Sequence, residues 1–305
     1  MDAVPPPSAE GPAGALAPRL PNRSRGLRVG TLAMLGSALC FTVMGIFVHE
    51  SARQGIPPAE ITFVRFAFGL GTLVLLSLSG RIRIRVGNPK LLMARGGFGA
   101  VAILFFHSAL SRTSLSNANL LNQTCTLWSA LFAYLFLQEH ANLKTMASLV
   151  LAAAGVALVT GGNFLHLSAG DTYGVISGLC GGAAITIIRQ LRRSGGESAW
   201  SVFFFLCAVG APLAGVLMLR DAQVPSVRAL TPLLLVAIAG TAAQLLLTYS
   251  YKYLPTARAG TLSLSNVALY AWAGYALFGE SLTPGGIAGS LLVLASCVYV
   301  ASQQA

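Results

Sequence analysis

The sequence predicts an all-α integral membrane protein, with ten transmembrane helices arranged as two inverted five-helix repeats. Three observations lead there. Of the 305 residues 55% are hydrophobic and only 10% charged, with a mean hydropathy of +0.71. A soluble domain carries about 25% charged residues to cover its surface, so lipid must cover much of this chain. The apolar residues fall into ten stretches, each near the roughly 20 residues that cross about 30 Å of hydrocarbon. The two halves also share a register, with Glu139 falling on Glu280 at an offset of 141 residues.

The ten spans run over about 29–49, 59–79, 91–111, 115–137, 143–162, 172–191, 199–219, 231–251, 255–278 and 283–302. Pro57-Pro58 and Pro284 stand where helices begin, the position at which a missing N–H costs least. Thr283-Pro284 reads as an N-cap followed by a first-turn proline. Residues 1–28 are rich in Pro, Ala and Arg and lack the uninterrupted apolar run of a signal peptide. They are expected to be a disordered cytoplasmic tail. The first repeat then occupies 29–162 and the second 172–302.

The net charge of +11 would suggest nucleic acid in a soluble protein. Its distribution argues otherwise. With the N-terminus inside, fifteen Lys and Arg residues fall on the inner side, Arg95 among them, and four on the outer: Arg53, Arg112, Arg220 and Arg228. Arg65 alone is left deeper in a span. This is the positive-inside pattern for a plasma (inner) membrane protein with both termini cytoplasmic. No nucleic-acid partner is needed.

The five cysteines, Cys40, Cys125, Cys180, Cys207 and Cys297, each lie in an apolar run and form no CxxC. They read as small packing residues, so no disulfide, metal or cofactor is expected. The chain also lacks HExxH and GxSxG, which argues against an enzyme.

The repeat extends well beyond the glutamates. Without gaps, residues 109–159 align on 250–300, and the same offset puts Thr31 on Thr172 and Gly69 on Gly210. Each half holds five spans. An odd number makes the second half enter from the opposite side, and inverted repeats of this kind are characteristic of secondary transporters. A channel or membrane receptor with a polar central cavity is the alternative.

Two copies of a helix–Glu–helix segment stand out: LLNQTCTLWSALFAYLFLQEHANLKTMASLVLAAAGVALV and TLSLSNVALYAWAGYALFGESLTPGGIAGSLLVLASCVYV. With PAEITFVRFAFG, which carries Pro58, Glu60 and Arg65, they make the chain resemble the drug/metabolite transporter superfamily, in its ten-helix branch with two EamA-type domains. The resemblance covers about residues 30–302. It implies a central cavity lined by spans 1, 3 and 4 and their mates 6, 8 and 9. Spans 5 and 10 would be peripheral and serve packing or dimer contacts. The expected partners are a small-molecule substrate and the bilayer, with a homodimer left open.

Polar groups in a span must face protein or water, because lipid offers no hydrogen bonds. Span 4 carries Asn119, Asn122, Gln123 and Thr126 on one helical face, and span 9 carries Ser263, Asn266 and Tyr270. They read as a midplane substrate site or, more plainly, as interhelical glue. Trp128 and Tyr270 are candidates to stack on substrate or simply to pack. His107, Gln244 and Tyr249 are further candidate lining groups, and a lone intramembrane His is more often structural. Arg65 reads as an anchor for a substrate carboxylate or phosphate, or as a snorkelling or paired structural charge. Glu139 and Glu280 sit just past helix ends. Capping the N-terminus of the following helix is the natural role for a carboxylate there, with gating as the alternative. Gly178 and Gly182 form a small-xxx-small pair that favours close helix packing. None of the nine acidic residues lies at mid-membrane. This departs from small multidrug resistance exporters and argues against proton-coupled export of cations.

Overall fold

A computed structural model of the chain describes residues 23–139, 143–159, 168–193, 197–221, 227–281 and 284–302. All of its regular structure among the described residues is helical. In chain order the helices are α1 (Arg23–Arg53), α2 (Pro58–Leu78), α3 (Pro89–Leu110), α4 (Leu115–Gln123), α5 (Cys125–Leu137), α6 (Leu143–Val159), α7 (Ala169–Arg193), α8 (Ala199–Asp221), α9 (Val227–Ser250), α10 (Thr256–Ser263), α11 (Ser265–Phe278) and α12 (Pro284–Ser302). Seven are long and apolar enough to cross a membrane: α1, α2, α3, α4–α5 taken as one, α7, α8 and α9. Shorter apolar helices occupy α6 and α12. Helix α1 starts at Arg23, inside the stretch expected to be a disordered tail; residues 1–22 of that tail lie outside the described residues.

Local chemistry sets the helix ends. Helix α2 enters through Pro57 with Pro58 in its first turn. Helix α3 is capped by the Asn88 side chain, which accepts from the Leu91 N–H at 3.1 Å, and Pro89 follows it. Ser114 caps α4 in the same way, through the Asn117 N–H at 3.2 Å.

Spans 4 and 9, expected to be continuous, are each interrupted once, at Thr124 and at Leu264. The cause is local. Thr124 Oγ1 donates to the Leu121 carbonyl at 2.7 Å, and Ser265 Oγ to the Leu262 carbonyl at 2.8 Å. The offset of 141 carries each member of the first pair onto the second. A hydroxyl that bonds back to its own helix competes with the ladder and bends it. Both halves thus break their fourth helix by one device, within one residue of the same register.

Packing follows the repeat. The first helix of each half lies against the third helix of the other, α1 on α9 and α7 on α3. The second helices pair with each other, α2 on α8, and so do the fifth, α6 on α12. At the α2–α8 contact a Cβ on Gly69 would sit 2.9 Å from Cys207 Sγ, and one on Gly210 would sit 2.5 Å from the Phe66 ring. Gly69 falls on Gly210 in the repeat and Phe66 on Cys207, so the contact is reciprocal, as a two-fold axis between the halves requires.

The broken helices run antiparallel. Glu280, just past α11, binds the start of α4, while Glu139, just past α5, binds the start of α10. Of the three apolar clusters in the core, two lie toward opposite ends of the bundle. One gathers Met34, Leu92, Leu191, Val202, Tyr251 and Leu254. The other gathers Val48, Ile56, Ile61, Leu110, Leu115 and Ala229. Between them lies the site.

Candidate functional site

A cavity of about 120 Å³ opens where α1, α3, α7 and α9 meet the two helix breaks. Six of the residues singled out from sequence line it: Arg65, Asn122, Gln123, Gln244, Ser263 and Asn266. The breaks bring them there. Gln123 Nε2 donates to the Ser263 carbonyl at 2.9 Å, bonding one break to a carbonyl at the other. Asn122 is held from the opposite half by Ser177 of α7, whose Oγ is 2.7 Å from its Oδ1. Asn266 is held in turn by Thr42 of α1, again at 2.7 Å. Each asparagine therefore rests on the first helix of the other repeat.

Glycines set the approach of α7. A Cβ on Gly174 would lie 2.7 Å from Leu121, and one on Gly178 would lie 2.8 Å from the Leu121 carbonyl and overlap Thr124 Oγ1. At Gly182 it would overlap Trp128. The small-residue face of α7 is thus pressed against the α4–α5 break.

The other candidates fall elsewhere. Tyr270 is fully buried with its ring over Gly45, and its hydroxyl donates to the Phe41 carbonyl at 2.7 Å, so it has no face left to stack on a solute. Trp128 is 36% exposed on the outer surface of the bundle and stacks on Phe132. Tyr249 is 38% exposed and pairs with Tyr253, ring against ring and hydroxyl to hydroxyl at 3.1 Å. Asn119 is buried off the cavity, and neither of its amide atoms has a partner. Helical periodicity identified the face of span 4 that points inward, and of its members Asn122 and Gln123, next to the break at Thr124, reach the space.

His107 stands behind the cavity, not on it. Thr62 Oγ1 donates to the Pro58 carbonyl at 2.6 Å, which leaves its oxygen to accept from His107 Nδ1 at 2.9 Å. The ring therefore carries its proton on Nδ1 and turns the lone pair of Nε2 toward Arg65 Nη1, 3.4 Å away. His107 orients Arg65.

One charged lining residue is not among those expected from the sequence. Arg95 was counted among the cytoplasmic charges, yet it is 3% exposed, on the seventh residue of α3, and its side chain lines the cavity. The signal was present. Arg95 lies inside the span drawn over 91–111, at a depth like that which made Arg65 notable, and the sequence around it, ARGGFG, is rich in glycine. A Cβ on Gly99 would overlap the Arg95 guanidinium, and one on Gly240 would sit 2.7 Å from Arg65 Nε. Gly99 falls on Gly240 in the repeat. Equivalent glycines on α3 and α9 thus each make room for an arginine.

The two glutamates cap the broken helix of the opposite half, where the sequence suggested the helix that follows each in the chain. Glu280 accepts from the Leu115 N–H at 2.7 Å, from the Ser116 N–H at 3.4 Å and from the Ser116 hydroxyl at 2.5 Å. Glu139 accepts from the Thr256 N–H at 3.1 Å and pairs with Arg189 at 2.6 Å. Their position comes from matched helix ends. Gln138 and Gly279 both adopt the left-handed conformation, with φ of 52° and 69°, and the next N–H returns to Ala133 or Gly274. Burial works to raise the Glu139 carboxyl, but the Arg189 guanidinium and the Thr256 N–H outweigh it and hold it below its ordinary range. The stability this carboxylate adds is full above that range and is lost as pH falls through the lowered value.

Comparison with known proteins agrees with this architecture. The sequence profile described as the EamA-like transporter family matches twice, over residues 28–161 and 168–302. The chain is 24% identical over 274 residues to the pseudopaline exporter CntI of Pseudomonas aeruginosa, covering 89% of this chain and 95% of that one. It is 25% identical over 272 residues to an uncharacterized transporter of Archaeoglobus fulgidus, covering 89% and 96%. A mouse (Mus musculus) protein, solute carrier family 35 member G1, is 30% identical over 142 residues, or 46% of this chain and 37% of that one. A protein of known crystal structure superposes with a TM-score of 0.71 at 17% identity, covering 92% of this chain and 98% of that one, and so shares its fold.

Proposed function

Because the chain belongs to the EamA-like transporter family, we propose that it is a secondary transporter carrying a small polar metabolite across the plasma membrane by alternating access. In this reading α4–α5 and α10–α11 each count as one span, the bundle crosses the membrane ten times, and both termini are cytoplasmic. The observation that carries the proposal is a cavity with buried polar side chains in its wall, placed between two apolar clusters at the crossing of two antiparallel broken helices. Broken helices at the midplane leave backbone groups free to meet a solute. The apolar clusters serve as the two gates. Related packing on either side of the cavity gives the chain two arrangements of similar energy, each with one gate shut.

The test is substrate counterflow with the purified chain in proteoliposomes, where a carrier gives saturable, exchange-stimulated flux. Asn122→Ala and Asn266→Ala are each expected to lower transport about tenfold, the worth of one well-made hydrogen bond. Folding should survive, because Ser177 keeps its bond to the Ala102 carbonyl and Thr42 its bond to the Ala38 carbonyl. Linear, non-saturating flux would overturn the carrier. Loss of folded protein in step with transport would reassign the asparagines to packing.

A further inference from the structure

The transporter reading leaves the substrate class open, and the charges in the cavity narrow it. Arg65 and Arg95 are 2% and 3% exposed, and both line the same space. Arg65 Nη2 and both Nε and Nη1 of Arg95 have no hydrogen-bond partner among the described residues. Among the described residues no Asp or Glu lines the cavity. Neither arginine forms an ion pair among the described residues. A guanidinium keeps its charge in a protein, so the cavity holds two like charges that are desolvated and unneutralised.

The surroundings are built to keep them so. His107 turns an acceptor toward Arg65, and Phe41 places its ring 5.9 Å from the guanidinium carbon. Neither contact neutralises the charge. Gly99 and Gly240 leave room for the two side chains at equivalent points of α3 and α9. Nothing in the fold as a scaffold calls for these charges: the repeat places Leu206 opposite Arg65 and Val236 opposite Arg95. The walls between are largely apolar, with Met34, Phe41, Ile103, Phe106 and Leu247.

We infer that the cavity selects an organic dianion, a solute with two carboxylates on a carbon frame, one for Arg65 and one for Arg95. The inference rests on the transporter reading and names the substrate class of its site. Two carboxylates would pair with the two guanidiniums and remove the repulsion between them, because planar guanidinium and carboxylate groups match in pairs. One carboxylate leaves the second arginine buried and unpaired, and a cation adds a third like charge. The apolar wall fits the carbon frame.

The experiment uses the full chain, purified in detergent, and follows thermal unfolding with the α,ω-dicarboxylates from succinate to suberate, the matched monocarboxylates and the matched diamines. A ligand that binds the folded state raises its unfolding temperature. At least one dicarboxylate should do so, while its monocarboxylate and diamine counterparts do not at equal concentration. Arg95→Gln should weaken that dicarboxylate by at least about tenfold, and Arg95→Lys, which keeps the charge and loses the fork, should restore part of the affinity. If Arg95→Gln does not fold, Arg95→Lys decides alone: affinity equal to the parent's overturns the inference. So does stabilisation by monocarboxylates or diamines as strong as by dicarboxylates, or by none of the series. Flux assays separate this failure from a failure of the transporter reading. Saturable flux of a neutral or cationic solute, unchanged by Arg95→Gln, overturns the dianion inference and leaves the carrier standing. Absence of saturable flux for any solute overturns the carrier itself.

Discussion

Gly178→Leu is expected to abolish the folded protein. A bare Cβ at this position already overlaps Thr124 Oγ1 and lies 2.8 Å from the Leu121 carbonyl. That carbonyl cannot step aside, because it accepts the hydroxyl bond that defines the helix break. Inserting several carbons into a packed contact commonly costs about 1–3 kcal/mol, and here the opposing atoms are backbone, so the cost should lie at the top of that range or above. Helix α7 must then withdraw from α4–α5 and take Ser177 away from Asn122. Size-exclusion chromatography of a fluorescent fusion would read the outcome as loss of the monodisperse peak. Gly71→Leu is the control, since a Cβ at Gly71 meets nothing within 4 Å. Equal behaviour of the two variants would remove the close α7 contact from this account.

Glu280→Ala is the second variant expected to act strongly. It strips three hydrogen bonds from the start of α4 and leaves the N–H of Leu115, a residue with no exposed surface, without its acceptor. Losing a cap costs about 1 kcal/mol, and a buried donor left unmet adds about 1–3. A loss of about 3 kcal/mol follows, visible as a lower unfolding temperature in detergent. Glu280→Gln keeps an acceptor for Leu115 and should lose much less. Glu139→Ala should also destabilise, and by a different route: it frees Arg189, whose Nη1 would keep its bond to the Tyr251 carbonyl at 2.9 Å. If Glu280→Ala melts with the parent, the glutamate is not a cap in solution.

Much of this was legible in the sequence because the repeat keeps its register. Glu139 and Glu280, and Gly69 and Gly210, were paired by arithmetic alone, and the structure uses both pairs. What arithmetic cannot give is which helices face each other. The glutamates cap across the two halves because the broken helices run antiparallel, a fact of tertiary packing with no local signature. For Tyr270 and Trp128 position alone leaves both stacking on substrate and simple packing open. Gly45 takes the ring of the first into the core, and the outer surface of α5 takes the second. Arg95 was missed for a plainer reason. Lys and Arg near span ends usually mark topology, and a charge count treats an arginine that points outward like one that points inward. Neighbouring glycines distinguish the two, since a buried guanidinium needs room that only a missing side chain supplies.

The central claim is that two halves of opposite sense close the pocket alternately at its two ends. Labelling with a membrane-impermeant maleimide tests it most directly. Single cysteines would replace Leu254 in one apolar cluster and Val48 in the other, in a chain with its five native cysteines removed. Across added solutes and gradients, every condition that speeds labelling at one position should slow it at the other. Joint rise and fall of the two rates would mean a pore that opens along its whole length, and the account would fail.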